Sequence, residues 1–490
     1  MKNNIANDSI MLTIVRVVTL ATSMAQTMIL SRIMTLTEYG TYSALLIIVS
    51  LGTTIAGLGL NNAISFFFNK EKDIDKKEKY VNTIFAITML SGTIFAVVIY
   101  ALKRQIANYY NNTVILNLII YVIFKPIFTN IVTLYQQLYI SVGKTKVIAA
   151  RNLIISLVQV IAIPITFNIF KNIKSVLIVG IILDVCQLIY FKFDFKKILK
   201  INYLNIDIKI IKPILIYAIP MALATMIATI FKESDKLIIA KIATIEDLAI
   251  YTNMSKQLPF EFVVLSFTTV ITPVIIRLLQ NDTKKAIQLW GDYIEFGYIS
   301  TWILCIGAII CAKELLVFLY SDIYLEGLNI FKIYLLIEMF KYTYFGLILS
   351  ATGKTKYILY SSGIAMIANI IFNIIFYKIF GLIGPALASL ICTISMGMVQ
   401  LLLSCKEINV NFLDAIRIKN MIKIILKLLI IAIVSVLIKK ILEQVINNDI
   451  IILIVIYTVY VICSVLINKK RLIYLMENMG KIGWKEYLEL

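Results

Sequence analysis

The sequence predicts an all-α integral membrane protein of about 14 transmembrane helices, with two parallel six-helix bundles and two further helices (6+6+2) around a central cavity. Three observations lead there. Of 490 residues, 60% are hydrophobic and the mean hydropathy is +0.90, where soluble domains hold roughly 45 to 50% apolar residues. The apolar residues come in unbroken, charge-free runs such as IAMIANIIFNIIFY at 364–377 and IIILIVIYTVYVICSVLI at 450–467. An internal repeat recurs with a period of about 210 residues.

Continuous rather than alternating runs favour helices over a barrel, because only a helix satisfies its own backbone in lipid. The spans fall near residues 10–30, 40–64, 81–102, 114–140, 147–169, 173–191, 213–240, 248–276, 288–312, 328–350, 357–377, 380–403, 422–438 and 450–467. The N-terminus, MKNNIANDSIMLTIVRVVTL, lacks a short apolar core followed by a small-residue cleavage site, and is expected to be a retained first span.

Net charge is +19. In a soluble domain that excess would suggest nucleic acid, but here Lys and Arg cluster between spans, and no nucleic-acid partner is expected. With the N-terminus inside, about 28 basic residues fall in inner loops and about 10 in outer ones, the bias of a positive-inside topology. Both termini are therefore expected in the cytoplasm, with the protein in the bacterial cytoplasmic membrane and its lysines near anionic lipids.

There are no histidines, which removes His bases, His metal ligands and His proton relays. Cys186, Cys305, Cys311, Cys392, Cys405 and Cys463 lie mostly in or beside apolar runs with no CxxC pair, so they read as small hydrophobes. No metal site is expected.

GKTK occurs at 143–146 and again at 353–356. A phosphate-binding loop of the form GxxxxGK[ST] would need glycine at Leu138 and Ile348, so each GKTK is expected to be a tight inner turn in which Gly ends a helix. The repeat extends further. SRIMTLTEYGTYS (31–43) lies over AKIATIEDLAIYT (240–252) at an offset of 209, and IFKNIKSVL (169–177) over IFGLIGPAL (379–387) at 210. One period holds six spans, an even number, so the second copy enters the membrane in the same direction as the first. Parallel repeats of this kind place a substrate path between the halves. The expected divisions are 1–200, 201–405 and 406–490.

Ionisable groups inside spans are costly and usually face a cavity or a partner. Span 1 carries Arg16 and span 4 carries Lys125 beside Pro126. Span 7 carries FKESDK, in which Lys232 with Asp235 and Glu233 with Lys236 stand three apart and are able to pair. Span 8 carries Lys256 and Glu261 around Pro259, where a bend is expected, and span 10 carries Glu338 and Lys341 as an ion pair or a functional pair. Asp184 in span 6, and Asp292 and Glu295 early in span 9, lie nearer the inner ends or show no obvious partner in the sequence, and stand as further candidates without an assigned role.

The stretches LTEYGTYSALLIIVSLGTTIAGLGLNNAIS (36–65), SDKLIIAKIATIEDLAIYTNMSK (234–256) and KIFGLIGPALASLICT (378–393), with the 6+6+2 plan, resemble the polysaccharide and oligosaccharide-lipid flippases of the MOP exporter superfamily. These are relatives of the MATE transporters and include O-antigen and capsule repeat-unit exporters. The resemblance implies a V-shaped pair of bundles that alternate between inward- and outward-open states. It also implies export of an undecaprenyl-diphosphate-linked glycan, alongside a polysaccharide polymerase and glycosyltransferases as partners. Arg16, Lys125, Lys232, Lys236, Lys256 and Lys341 are then candidate phosphate anchors. The carboxylates Glu233, Asp235, Glu261 and Glu338 either couple transport to H⁺ or Na⁺ or only neutralise those lysines. No catalytic residue and no bound cofactor are expected. Other readings are a cation-coupled MATE-type exporter of small molecules and an integral-membrane polymerase or acyltransferase; the latter usually needs large outer loops or a histidine.

Overall fold

A computed structural model describes residues 2–199, 201–202 and 206–488; within its helices the side chains of 2–14, 16, 261–263, 265, 266, 269 and 482–488 lie outside the description. The described residues contain helices and turns and no strand. Contacts divide the chain into two compact units, residues 1–252 and 253–490.

The first unit holds α1 (Lys2–Ile33), α2 (Leu36–Gly57), α3 (Leu60–Lys70), α4 (Ile74–Ala101), α5 (Lys103–Tyr109), α6 (Val114–Leu118), α7 (Lys125–Ser141), α8 (Thr145–Phe170), α9 (Ile173–Phe195), α10 (Ile208–Ile242) and most of α11 (Ile245–Met254). The second holds α12 (Glu261–Asn281), α13 (Thr283–Ile310), α14 (Ala312–Leu319), α15 (Leu328–Phe340), α16 (Leu347–Ala351), α17 (Thr355–Phe380), α18 (Gly384–Glu407), α19 (Phe412–Ala415), α20 (Ile418–Val445) and α21 (Asp449–Leu488). This division runs past the expected boundary at residue 200, because α10 packs on α2, α3 and α4.

Among the described residues, 10 helical segments are long and apolar enough to cross a membrane. One of them, Thr355–Glu407, contains two expected spans, α17 and α18. The remaining expected spans do not reach that length as unbroken stretches of described residues. Of span 1, on α1, the stretch Val17–Ile33 falls among them. Span 8 is interrupted at 255–260, where Pro259 sits in a full break between α11 and α12 instead of a bend. Span 10 is interrupted at 341–346, between α15 and α16.

In the first unit α3, α4, α7 and α9 enclose an aromatic core in which Phe85, Tyr135, Tyr139, Phe191 and Phe195 are fully buried. In the second, α13 is the central helix and packs on α12, α15, α20 and α21. Trp290, Tyr293, Tyr298 and Trp302 along it line the core.

Both GKTK strings close helices in the same way. Gly143 at φ 74° and Gly353 at φ 75° take the left-handed conformation that glycine tolerates best. The Lys144 N–H reaches the Tyr139 carbonyl at 2.9 Å and the Lys354 N–H reaches the Leu349 carbonyl at 2.7 Å. The Gly143 and Gly353 N–H groups bond the Ile140 and Ser350 carbonyls, completing a Schellman cap at each end. The starts of α2 and α11 also repeat. Thr35 and Glu38 cap each other reciprocally, as do Thr244 and Asp247, 209 residues on.

Candidate functional site

Within the first unit, four helices each carry a polar stripe at a spacing of three to four residues, which in an α-helix places those residues on one face. The stripes are Thr19, Thr22, Ser23 and Gln26 on α1; Thr129, Thr133 and Gln136 on α7; Arg151, Asn152, Ser156 and Gln159 on α8; and Asp184 and Gln187 on α9. They converge on one cavity of about 370 Å³. Helices that are otherwise apolar thus turn hydroxyls, amides and two charges inward.

Lys125 stands at the start of α7, directly after the turn at 122–124 that interrupts span 4. Its Nζ lies 2.8 Å from Asp184 Oδ2, so the carboxylate that had no obvious partner in the sequence is neutralised. Arg151 donates through Nη1 to Asn152 Oδ1 at 2.6 Å, and its guanidinium lies 5.5 Å from the centre of the Phe191 ring. With Asp184 matched by Lys125, Arg151 leaves the cavity with a net positive charge. Such a cavity suits an anionic ligand rich in hydroxyl groups.

The second unit does not reproduce the site. At the repeat offset of 210, Arg151, Gln159 and Asp184 correspond to Ser361, Asn369 and Ile394, and Lys125 falls at Leu335. The equivalent stripe, Ser361, Ala365, Asn369 and Asn373, is buried on α17. It is closed by hydrogen bonds across to α18, from Asn369 Nδ2 to Ser389 Oγ at 3.2 Å and from Gln400 Nε2 to Ser361 Oγ at 3.0 Å.

The other candidates named from the sequence are dispersed. Lys236 Nζ pairs with Glu233 Oε2 at 2.9 Å, both buried, and Ser50 Oγ donates to Glu233 Oε1 at 3.4 Å. Asp235 accepts from Tyr251 OH at 3.1 Å and from the Lys236 N–H at 2.8 Å, while Lys232 is exposed, so the Lys232–Asp235 pair is not formed. Glu338 is buried and accepts the Leu258 N–H. The Glu338–Lys341 pair is not formed either: α15 ends at Phe340 and Lys341 leaves the helical frame, which removes the three-residue spacing. Lys256 is half-buried in the break after α11. The side chains of Arg16 and Glu261 lie outside the described residues.

Arg151 and the amides Gln136, Asn152, Gln159 and Gln187 do not stand out in the sequence as intramembrane charges do, and Arg151 follows GKTK so closely that it reads as topology charge. The signal that identifies it is the repeat, which holds Ser361 where the first copy holds Arg151. Asp292 and Glu295 also acquire partners. Arg417 Nη1 lies 2.6 Å from Asp292 and 2.7 Å from Glu295, and Arg471 Nη2 lies 2.6 Å from Glu295.

A family model described as polysaccharide biosynthesis protein matches residues 29–328, well over half of the chain. The chain belongs to this family. An uncharacterized membrane protein of Methanocaldococcus jannaschii is 23% identical to this polysaccharide biosynthesis protein over 381 residues, 74% of this chain and 88% of that one. Among solved structures, the lipid II flippase MurJ in an inward closed conformation superposes with a TM-score of 0.71 at 17% identity, covering 94% of this chain and 99% of that one. An inward-facing multidrug resistance MATE transporter of the MOP superfamily superposes with a TM-score of 0.67 at 12% identity, covering 80% and 94%. The chain therefore shares the all-α fold of these two structures and, with 10 described helical segments long and apolar enough to span a bilayer, is a multi-pass membrane protein.

Proposed function

We propose that this protein is a flippase that moves undecaprenyl-diphosphate-linked oligosaccharide repeat units from the cytoplasmic to the outer leaflet by alternating access, for cell-surface polysaccharide synthesis. The observation that carries the reading is the net-positive, amide- and hydroxyl-lined cavity around Arg151 and the Lys125–Asp184 pair. A guanidinium in a low-dielectric wall binds phosphate oxygens strongly, and the surrounding amides and hydroxyls match the sugar nearest the diphosphate. The likeness to a lipid II flippase supports the same substrate class. Arg16 and Lys232, in the same unit, are further phosphate contacts in this reading, whereas Lys256 and Lys341 belong to the second unit and are cationic candidates apart from this cavity.

The protein acts as a transporter and not as an enzyme, in the cytoplasmic membrane with both termini inside. Coupling runs through H⁺ or Na⁺ at its intramembrane carboxylates, and glycosyltransferases and a polymerase supply and consume the glycan. A MATE-type exporter of organic cations shares the fold, but such a site wants a free carboxylate, and Asp184 is held by Lys125.

Purified protein in liposomes carrying labelled undecaprenyl-diphosphate glycan tests the reading through the fraction of label exposed to an external glycosidase. Wild type is expected to accelerate exposure. Arg151→Gln should slow it about 10- to 100-fold, the worth of a charge-assisted hydrogen bond or two. Wild type that leaves the glycan in place while exporting an organic cation would overturn the proposal.

A further inference from the structure

We propose that the N-terminal half of α20, with the facing part of α21, is a binding site for the headgroup of an anionic phospholipid, separate from the transport cavity. Lys419, Lys423 and Lys427 stand four apart on α20 and are all exposed. At that spacing three like charges share one face and repel one another. None has a hydrogen bond or ion pair with the described residues, and α20 carries no carboxylate before Glu443. The packed residues Ile424, Leu428 and Ala432 lie on a different face, whereas the exposed Ile422, Leu426 and Ile430 flank the lysines. The stripe therefore faces lipid.

Its depth follows from the helix. The charge-free stretch between Lys427 and Lys439 rises about 18 Å at 1.5 Å per residue, well short of the roughly 30 Å hydrocarbon core. One end must therefore lie within hydrocarbon depth. At the far end Lys439 is neutralised by Glu314 at 2.7 Å and donates to the Ile310 carbonyl at 2.9 Å. At the near end no group among the described residues does the same, so Lys423 and Lys427 extend along the helix toward the interface. Their ammonium groups then converge near that of Lys419.

The hairpin adds to the cluster. The α20–α21 turn lies at 446–448, so antiparallel packing brings Lys469 and Lys470, both exposed, level with Lys423 and Lys427. Arg471 is excluded because Glu295 holds it. Apolar flanks for acyl chains beneath a concentration of positive charge match a lipid phosphate better than a soluble anion.

Native mass spectrometry of the full-length purified protein, titrated with phosphatidylglycerol or phosphatidylcholine, tests the site without any transport step. Wild type should prefer phosphatidylglycerol at least about tenfold, since each interfacial lysine contributes roughly fivefold. K419Q/K423Q/K427Q should lose most of that preference while melting at the wild-type temperature, and the triple Arg variant should keep it. K72Q/K76Q/K79Q, which removes lysines elsewhere, should bind as wild type does. The proposal is overturned when the α20 variant keeps its preference, when the control variant loses as much, or when millimolar pyrophosphate displaces the bound lipid.

Discussion

Thr37 Oγ1 donates to Glu246 Oε1 over 2.6 Å, and the two residues are 209 positions apart, one period of the internal repeat. Equivalent helix starts thus meet inside the first unit. The approach is close because Gly40 has no side chain: a Cβ there would lie 2.0 Å from the Ile245 carbonyl oxygen. Thr35 and Thr244 cap α2 and α11 on either side of the contact.

The contact should depend on pH. The Thr37 hydroxyl holds the Glu246 carboxyl below its ordinary value of 4.5, helped by Thr244 and opposed by burial. A depressed carboxylate stabilises the folded contact above the ordinary value and loses that contribution as pH falls through the lowered one. Hydrogen exchange at 243–250, corrected for intrinsic rates, should therefore rise as pH falls below about 4.5. Thr37→Val should raise it already at neutral pH, and Glu246→Gln should remove the pH dependence. Equal protection in all three proteins would refute the role of this contact.

The two Schellman caps should respond alike. A Cβ at Gly143 or Gly353 meets nothing within 4 Å, so alanine would add only the strain of a positive φ. Each Gly→Ala change should cost about 1 kcal/mol, and Gly→Asn less, as read from thermal melting in detergent. A cost at one site alone would contradict their equivalence.

Spans, repeat and the glycine caps are legible in the sequence because they follow from local chemistry: apolar run length and a glycine after a helix. The sites are less legible because they depend on which helices meet. Asp184 is a lone intramembrane acid in the sequence and becomes half of a pair only when α7 and α9 pack. Glu338 and Lys341 have the right spacing for a pair, but only on an unbroken helix, and α15 ends between them. Arg151 resembles a loop charge because no local signal says that α1, α7, α8 and α9 turn polar stripes toward one another.

The Lys125–Asp184 pair gives a coupling test. Removing one partner leaves a largely buried charge without its direct ion-pair partner, so Lys125→Met or Asp184→Asn should each destabilise by about 1 to 3 kcal/mol. The double variant should cost less than the sum, by at least about 0.5 kcal/mol in a thermal double-mutant cycle. Strict additivity would mean the two side chains do not interact.

The asymmetry between repeats predicts that charge cannot be moved from one copy to the other. Arg151→Ser should slow glycan flipping, and adding Ser361→Arg should not restore it, since Ser361 is buried and bonded to Gln400 where the first copy has a cavity. Ser361→Arg alone should destabilise by about 2 kcal/mol or more. Recovery of flipping in the double variant would show that either half can present the cation.

The last two helices are held to α13 by Glu295. Its side chain is fully buried and accepts from Arg417 Nη1 at 2.7 Å, Arg471 Nε at 2.7 Å, Arg471 Nη2 at 2.6 Å and Asn420 Nδ2 at 3.3 Å. Asp292 adds a second carboxylate, 2.6 Å from Arg417. Glu295→Gln keeps the volume but removes the charge that both guanidiniums share, leaving Arg417 with Asp292 alone. It should destabilise by about 3 kcal/mol and raise hydrogen exchange along α20 and α21 more than along α17 and α18. Arg471→Met, at a side chain that is partly exposed, should cost less than Glu295→Gln. Exchange that rises uniformly across the second unit would show that Glu295 supports the whole core and not the docking of these two helices.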